Sequence, residues 1–184
     1  MKRIIITMLL LAGISSASYA QKYMTRTGKV SFFSGTPIEN IEAFNNETAS
    51  IFDVKSGDVV FQVPIKSFKF EKETMQEHFN DDYMESSKYP KSDFKGKIED
   101  ISRVNFSKDG TYKVVAKGKL TMHGVTHDIS VPGTITIKGS ELTLNTKFMV
   151  TPQDYNIKIP SMVASKIAKN IEITVNSILT AVQK

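Results

Sequence analysis

Cysteine and tryptophan are both absent from the 184 residues. The first absence excludes disulfides, thiol nucleophiles and every cysteine-ligated metal site. The second leaves 11 Phe and 6 Tyr as the only aromatic side chains, so phenylalanine is the bulky aromatic of the core. Proline and glycine are few, 6 and 10, which excludes a collagen-like chain and a Pro/Gly-rich disordered one. Long apolar runs are missing too. The one near-continuous run covers residues 4–11, whereas a bilayer-spanning helix needs about 20 apolar residues.

That short run is informative through its flanks. Lys2 and Arg3 precede it, and small and polar residues follow as far as Ser18-Tyr19-Ala20. A positive start, an apolar middle and small residues around a cut are the marks of a secretory leader. Residues 1–20 therefore read as a signal peptide cleaved before Gln21, and 21–184 as a single domain. No cysteine stands at the cut, which argues against a lipoprotein anchor. A cysteine-free exported chain fits a bacterial periplasm, where disulfides are permitted but not required. After the leader 22 basic and 19 acidic residues remain, a net charge of +3. The lysines are scattered, so nucleic-acid binding is not indicated.

Alternation of period two dominates after residue 48. Val59, Phe61, Val63 and Ile65 share one phase, which then switches to Phe68 and Phe70, predicting a bulge or bend near Lys66-Ser67. The same grammar recurs in Phe94/Gly96/Ile98, Tyr112/Val114/Ala116/Gly118/Leu120, Val125/His127/Ile129/Val131, Leu142/Leu144/Thr146/Phe148/Val150 and Ile171/Ile173/Val175. Such strands have one wet face and pair antiparallel. Turn signals separate them at Lys55-Ser56-Gly57-Asp58, Lys108-Asp109-Gly110 and Lys138-Gly139-Ser140. Helical signals are short. Thr36-Pro37-Ile38-Glu39 predicts a helix over 36–44, Thr74-Met75-Gln76-Glu77 a capping box opening one over 75–83, and a third piece falls at 161–168. About eight strands and no crossover helices predict an antiparallel barrel or a two-layer sandwich, and periodicity does not choose between them.

Polar chemistry is sparse. His123 and His127 stand four apart, but Gly124 and the β-branched neighbours make the segment strand, turn, strand rather than one helix face. With Asp128 they could contribute metal ligands. The plain alternative is a turn histidine bonding local backbone and a second one half-buried in a sheet. His78 lies among Glu77, Asp81 and Asp82 without a recognisable nucleophile or metalloprotease spacing. The apolar signal is stronger. Phe32, Phe52, Phe61, Phe68, Phe70, Phe79, Phe94 and Phe148, with Ile98, Leu120 and Ile159, would line the interior of a closed sheet. They form either a dense core or a pocket for an extended apolar ligand.

Two ordered groups of motifs complete the sequence reading. The first runs from Phe68-Lys69-Phe70 through Met75-Gln76-Glu77-His78-Phe79-Asn80-Asp81-Asp82-Tyr83-Met84 to Tyr89-Pro90-Lys91-Ser92-Asp93-Phe94-Lys95-Gly96. The second is Gly118-Lys119-Leu120-Thr121-Met122-His123-Gly124-Val125-Thr126-His127, followed by Phe148-Met149-Val150 and Asp154-Tyr155-Asn156-Ile157. In this order they resemble the YceI-like family over essentially all of residues 21–184. The resemblance implies an all-β fold, an extended antiparallel eight-stranded lipocalin-like barrel with short helices, in an exported or periplasmic protein. It also implies a bound lipid, such as an isoprenoid quinone or polyprenyl chain, in place of a catalytic cofactor or metal. The 74–90 segment would then serve as lid, with transient membrane contact during exchange. Family members often carry Phe-x-Val-x-His at the first long strand, whereas this chain reads Val30-Ser31-Phe32-Phe33-Ser34-Gly35 without histidine. Beside this non-enzymatic lipid carrier stand two alternatives: an enzyme or metal protein using the histidines, and a ligand-free periplasmic stress or interaction protein.

Overall fold

The computed structural model describes residues 22–182. The leader expected at 1–20 and its expected cleavage site lie outside the described residues. The chain forms β1 (Lys22–Gly35), β2 (Asn40–Asp53), β3 (Asp58–Pro64), β4 (Lys69–Phe70), α1 (Glu73–His78), β5 (Lys91–Ile98), β6 (Gly110–Met122), β7 (Val125–Lys138), β8 (Glu141–Val150) and β9 (Ile171–Ala181). Apart from the two-residue β4, which lies on β2 through Ala43↔Phe70, every strand pairs antiparallel with its neighbours along the chain. β9 returns to β1, so eight strands close into an up-and-down barrel. Closure pairs the edges that an open sheet would leave exposed. Where β5 meets β6, Gly96 faces Gly118, and a Cβ on Gly118 would fall 2.4 Å from the Gly96 Cα. Glycine at this pair lets the two strands approach closely.

Inward positions gather into two apolar clusters, one toward each end. Phe52, Val59, Ile98, Val104, Ile135, Leu142 and Leu179 pack one end. Val30, Ala43, Ile65, Phe68, Met84, Val150, Ile157 and Val175 belong to the other, with partly buried Phe32, Phe70 and Phe79 against them. The wall formed by β1, β2 and β9 also carries buried polar groups: Asn45, Thr48, Ser50 and Ser177. Their needs are met internally. Asn45 Nδ2 donates to the Pro64 carbonyl at 2.7 Å, Asn45 Oδ1 accepts from the Glu47 N–H at 2.8 Å, and Ser50 and Ser177 share a hydrogen bond at 2.9 Å.

Several local expectations change. Residues 36–44 are not helical: β2 begins at Asn40, and 36–39 is a hairpin turn. The capping threonine keeps its chemistry there. Thr36 Oγ1 accepts from the Glu39 N–H and the Thr36 N–H donates to the Glu39 carbonyl, closing the turn instead of opening a helix. α1 starts one residue ahead of the predicted capping box, after Lys72, with no side-chain cap. The bend near Lys66-Ser67 is a single 3₁₀ turn, Ile65–Ser67, which ends β3. Residues 161–166 form successive turns rather than a helix, with Val163 N–H donating to the Pro160 carbonyl and Lys166 N–H to the Val163 carbonyl.

Candidate functional site

A cavity of about 480 Å³ runs inside the barrel. Alternation builds its wall: Phe61 and Val63 from β3, Phe94 and Ile98 from β5, Leu120 from β6, Ile129 and Val131 from β7, Phe148 from β8 and Ile173 from β9 all face the interior. A volume of this size, lined mostly by apolar side chains with a few polar groups, is that of a small-molecule site.

Of the eleven side chains singled out from the sequence, ten lie on this wall: Phe32, Phe61, Phe68, Phe70, Phe79, Phe94, Ile98, Leu120, Phe148 and Ile159. Phe52 does not. It is fully buried in the packed end, 6.1 Å from the Phe106 ring, and serves as floor rather than wall. Val30, Ile41, Met75, Tyr83, Val163 and Ile167 also line the cavity and were not singled out. Val30 and Ile41 stand in strands whose alternation is broken, while Val163 and Ile167 belong to an irregular segment with no period to read.

Four phenylalanines close ranks beneath the helix. Phe79 stacks on Phe32 at 5.4 Å and meets Phe68 and Phe70 edge-on or tilted at 5.5 and 5.0 Å. Phe79 opens the single π turn, Phe79–Tyr83, that continues α1, in which the Met84 N–H donates to the Phe79 carbonyl at 2.8 Å. The widened turn puts Phe79 on the cavity wall while Met84, at its end, is buried. Aromatic pairs at these separations contribute about 0.5–1.5 kcal/mol each beyond area burial. Burial and the neighbouring Asp82 raise the pKa of Tyr83, another wall residue, above the ordinary phenol value.

The three histidines have different hydrogen-bond partners. His78 and Asp82 form an exposed pair at 2.6 Å, with the His78 ring reaching the cavity rim. His123, 8% exposed, occupies with Gly124 the two-residue β6–β7 turn, both at positive φ. Its partners are distant in sequence. Nδ1 lies 3.1 Å from the Tyr155 carbonyl and donates to it, since a carbonyl only accepts; Nε2 lies 2.8 Å from Glu85 Oε2. The ring also packs on Tyr89, 4.5 Å away. His127 is exposed, its Nε2 donating to the Asp154 carbonyl at 2.8 Å. The expected local bond of His123 is thus replaced by long-range ones, and His127 is not half-buried. Both rings tie the 152–155 turn to the β6–β7 hairpin. Among the described residues no group of three or more His, Asp or Glu side chains converges as a metal site requires.

The sequence profile of the YceI-like domain matches residues 14–178. Among solved structures, the chain is similar to a polyisoprenoid binding domain from Saccharophagus degradans implicated in plant cell wall breakdown. The TM-score is 0.77 at 12% identity, covering 89% of this chain and 99% of that one. BcnA from Burkholderia cenocepacia follows with a TM-score of 0.68 at 19% identity, over 83% and 96%. The YCEI protein of Campylobacter jejuni gives 0.63 at 18%, over 81% and 90%. No curated protein matches the sequence.

Proposed function

The chain belongs to the YceI-like family, and from that membership and the apolar interior of its barrel we propose that it is a non-catalytic carrier of an elongated lipid, a polyisoprenoid chain above all. The observation that carries this reading is the 480 Å³ cavity, with its wall of Phe, Ile, Leu and Val side chains and few charged groups. Such a wall removes hydrocarbon from water, which is worth about 0.8 kcal/mol for each buried methylene. It offers little to a reacting atom: the three histidines are occupied by Asp82, by Glu85 with the Tyr155 carbonyl, and by the Asp154 carbonyl. The Saccharophagus protein described as polyisoprenoid-binding supports the ligand class, through the fold the two chains share. A leader at 1–20, expected from the sequence, would export the chain to a periplasm, where a carrier moves lipid through water between membranes. In this reading the 74–90 segment is the movable part of the wall, and its α1 and π turn reach the cavity through Met75, Phe79 and Tyr83.

The test is retention of a polyisoprenoid by variants of the wall. Phe94→Asp places a carboxylate against the chain, and Phe68→Asp does so within the aromatic group beneath the helix. Each is expected to lower retention at least tenfold, measured as bound lipid after gel filtration of protein whose circular dichroism is unchanged. Undiminished retention in both folded variants would remove the cavity as the binding site.

A further inference from the structure

The mouth of the cavity is where its lining includes Glu39, His78 and Lys166, the first partly and the others largely exposed. Three elements meet there: the β1–β2 turn, α1, and the irregular segment 158–169. Glu39 joins them, lying 3.8 Å from Lys72, just before α1, and 3.8 Å from Lys166. The Ala168 N–H donates to Ser34 Oγ at 2.9 Å and fixes the segment to the end of β1.

One of these elements is one-sided in charge. Segment 158–169 reads Lys-Ile-Pro-Ser-Met-Val-Ala-Ser-Lys-Ile-Ala-Lys, with three lysines and no acid. Its turns direct Val163 and Ile167 toward the cavity and leave Met162 90% exposed. Ile38, on the adjoining β1–β2 turn, is 62% exposed. Among the described residues these two are the most exposed of the large apolar side chains. A single exposed apolar residue calls for no explanation. Two at the same opening, beside exposed Lys158, Lys166 and Lys169, match a particular environment. Apolar tips enter the acyl boundary of a bilayer while lysine stems keep their ammonium groups at headgroup level. Anionic lipids favour each lysine near the surface by about fivefold in binding.

The geometry points to segment 158–169, together with Ile38, as a docking surface for an anionic lipid bilayer, holding the cavity mouth against the membrane while lipid passes. This rests on the carrier reading for what passes, but not for the docking itself. The two are separated by measuring both on the same mature protein. Docking is read by flotation with phosphatidylcholine vesicles made with and without a quarter of phosphatidylglycerol. Carriage is read as retention and transfer of a fluorescent geranylgeranyl-chain probe. Wild type is expected to float with the anionic vesicles and to lose that association as salt rises. Met162→Asp, and separately Lys158→Gln with Lys169→Gln, are expected to weaken flotation about tenfold and to slow probe transfer, leaving retention of preloaded probe unchanged. Both variants alter exposed side chains, and their melting temperatures provide the check on folding. Flotation equal to wild type in both, or equal flotation with neutral and anionic vesicles, would overturn the docking surface. Anionic flotation that these variants abolish, with no probe retained by any protein, would uphold docking and sink the carrier reading.

Discussion

Phe79 illustrates how much of the site rests on single side chains. It contacts Phe32, Phe68 and Phe70 at once, so its removal is expected to loosen the π turn and the wall together. Tyr155 provides a second probe at this scale. Burial, with a smaller push from Asp154, raises its pKa above the ordinary phenol value of about 10. The phenol is neutral when protonated, and the fold holds that proton more tightly than the unfolded chain does. The resulting stability is complete below pH ~10 and is lost as pH rises through the folded value. An alkaline titration followed by tyrosinate absorbance is expected to show late-titrating tyrosine. Tyr155→Phe should remove part of that late fraction and flatten the alkaline loss of melting temperature. An unchanged titration would contradict the burial assigned to Tyr155. The residue scale is also where the sequence was most legible for apolar side chains and least for histidine. Phe61, Phe94 and Phe148 announce their inward phase by alternation. The partners of His123, Glu85 and the Tyr155 carbonyl, lie over thirty residues away and leave no local pattern.

Elements differ in how openly they are written. β6 and β8 alternate cleanly because their inner faces meet hydrocarbon and their outer faces meet water. β2 does not. Asn45 and Ser50 point inward, Phe44 and Ile51 are exposed, and the register slips between Gly28 and Val30 opposite it. Hydropathy is therefore inverted along part of β2, and a nearby Thr-Pro-x-Glu reads as a helix start when it is a hairpin turn. The β6–β7 turn is the opposite case, legible from His123-Gly124 between two apolar runs. Gly124 has φ +76°, and a Cβ there would lie 2.6 Å from Tyr89 Cε1. Gly124→Ala is expected to cost about 1–2 kcal/mol from left-handed strain, and more if the Tyr89 ring cannot shift. Denaturant midpoints measure it. A loss below about 0.5 kcal/mol would mean that the turn relaxes into another conformation.

At the scale of the whole molecule, closure and hollowness answer different questions. The order of strands follows from antiparallel pairing of sequence neighbours, and the return of β9 to β1 makes the ring. Periodicity could not distinguish that ring from two stacked sheets, because both bury one face of each strand. Nor does it divide the phenylalanines between wall and floor, so sequence alone places Phe52 with the lining. That division depends on depth along the barrel, a coordinate set by register and absent from any local pattern. An interior apolar cavity left empty forgoes the dispersion contacts its lining could make. A chain of hydrocarbon restores them, and a ligand at a hundred times its Kd stabilises the fold by about 2.7 kcal/mol.

The most direct test of the carrier reading is native mass spectrometry of the mature protein, purified without detergent from its own cell envelope, with an organic extract of the same sample. The expected result is a one-to-one complex whose extracted ligand belongs to a series stepping by isoprene units. The apo mass alone, from folded protein prepared this way, would contradict a lipid-carrying barrel.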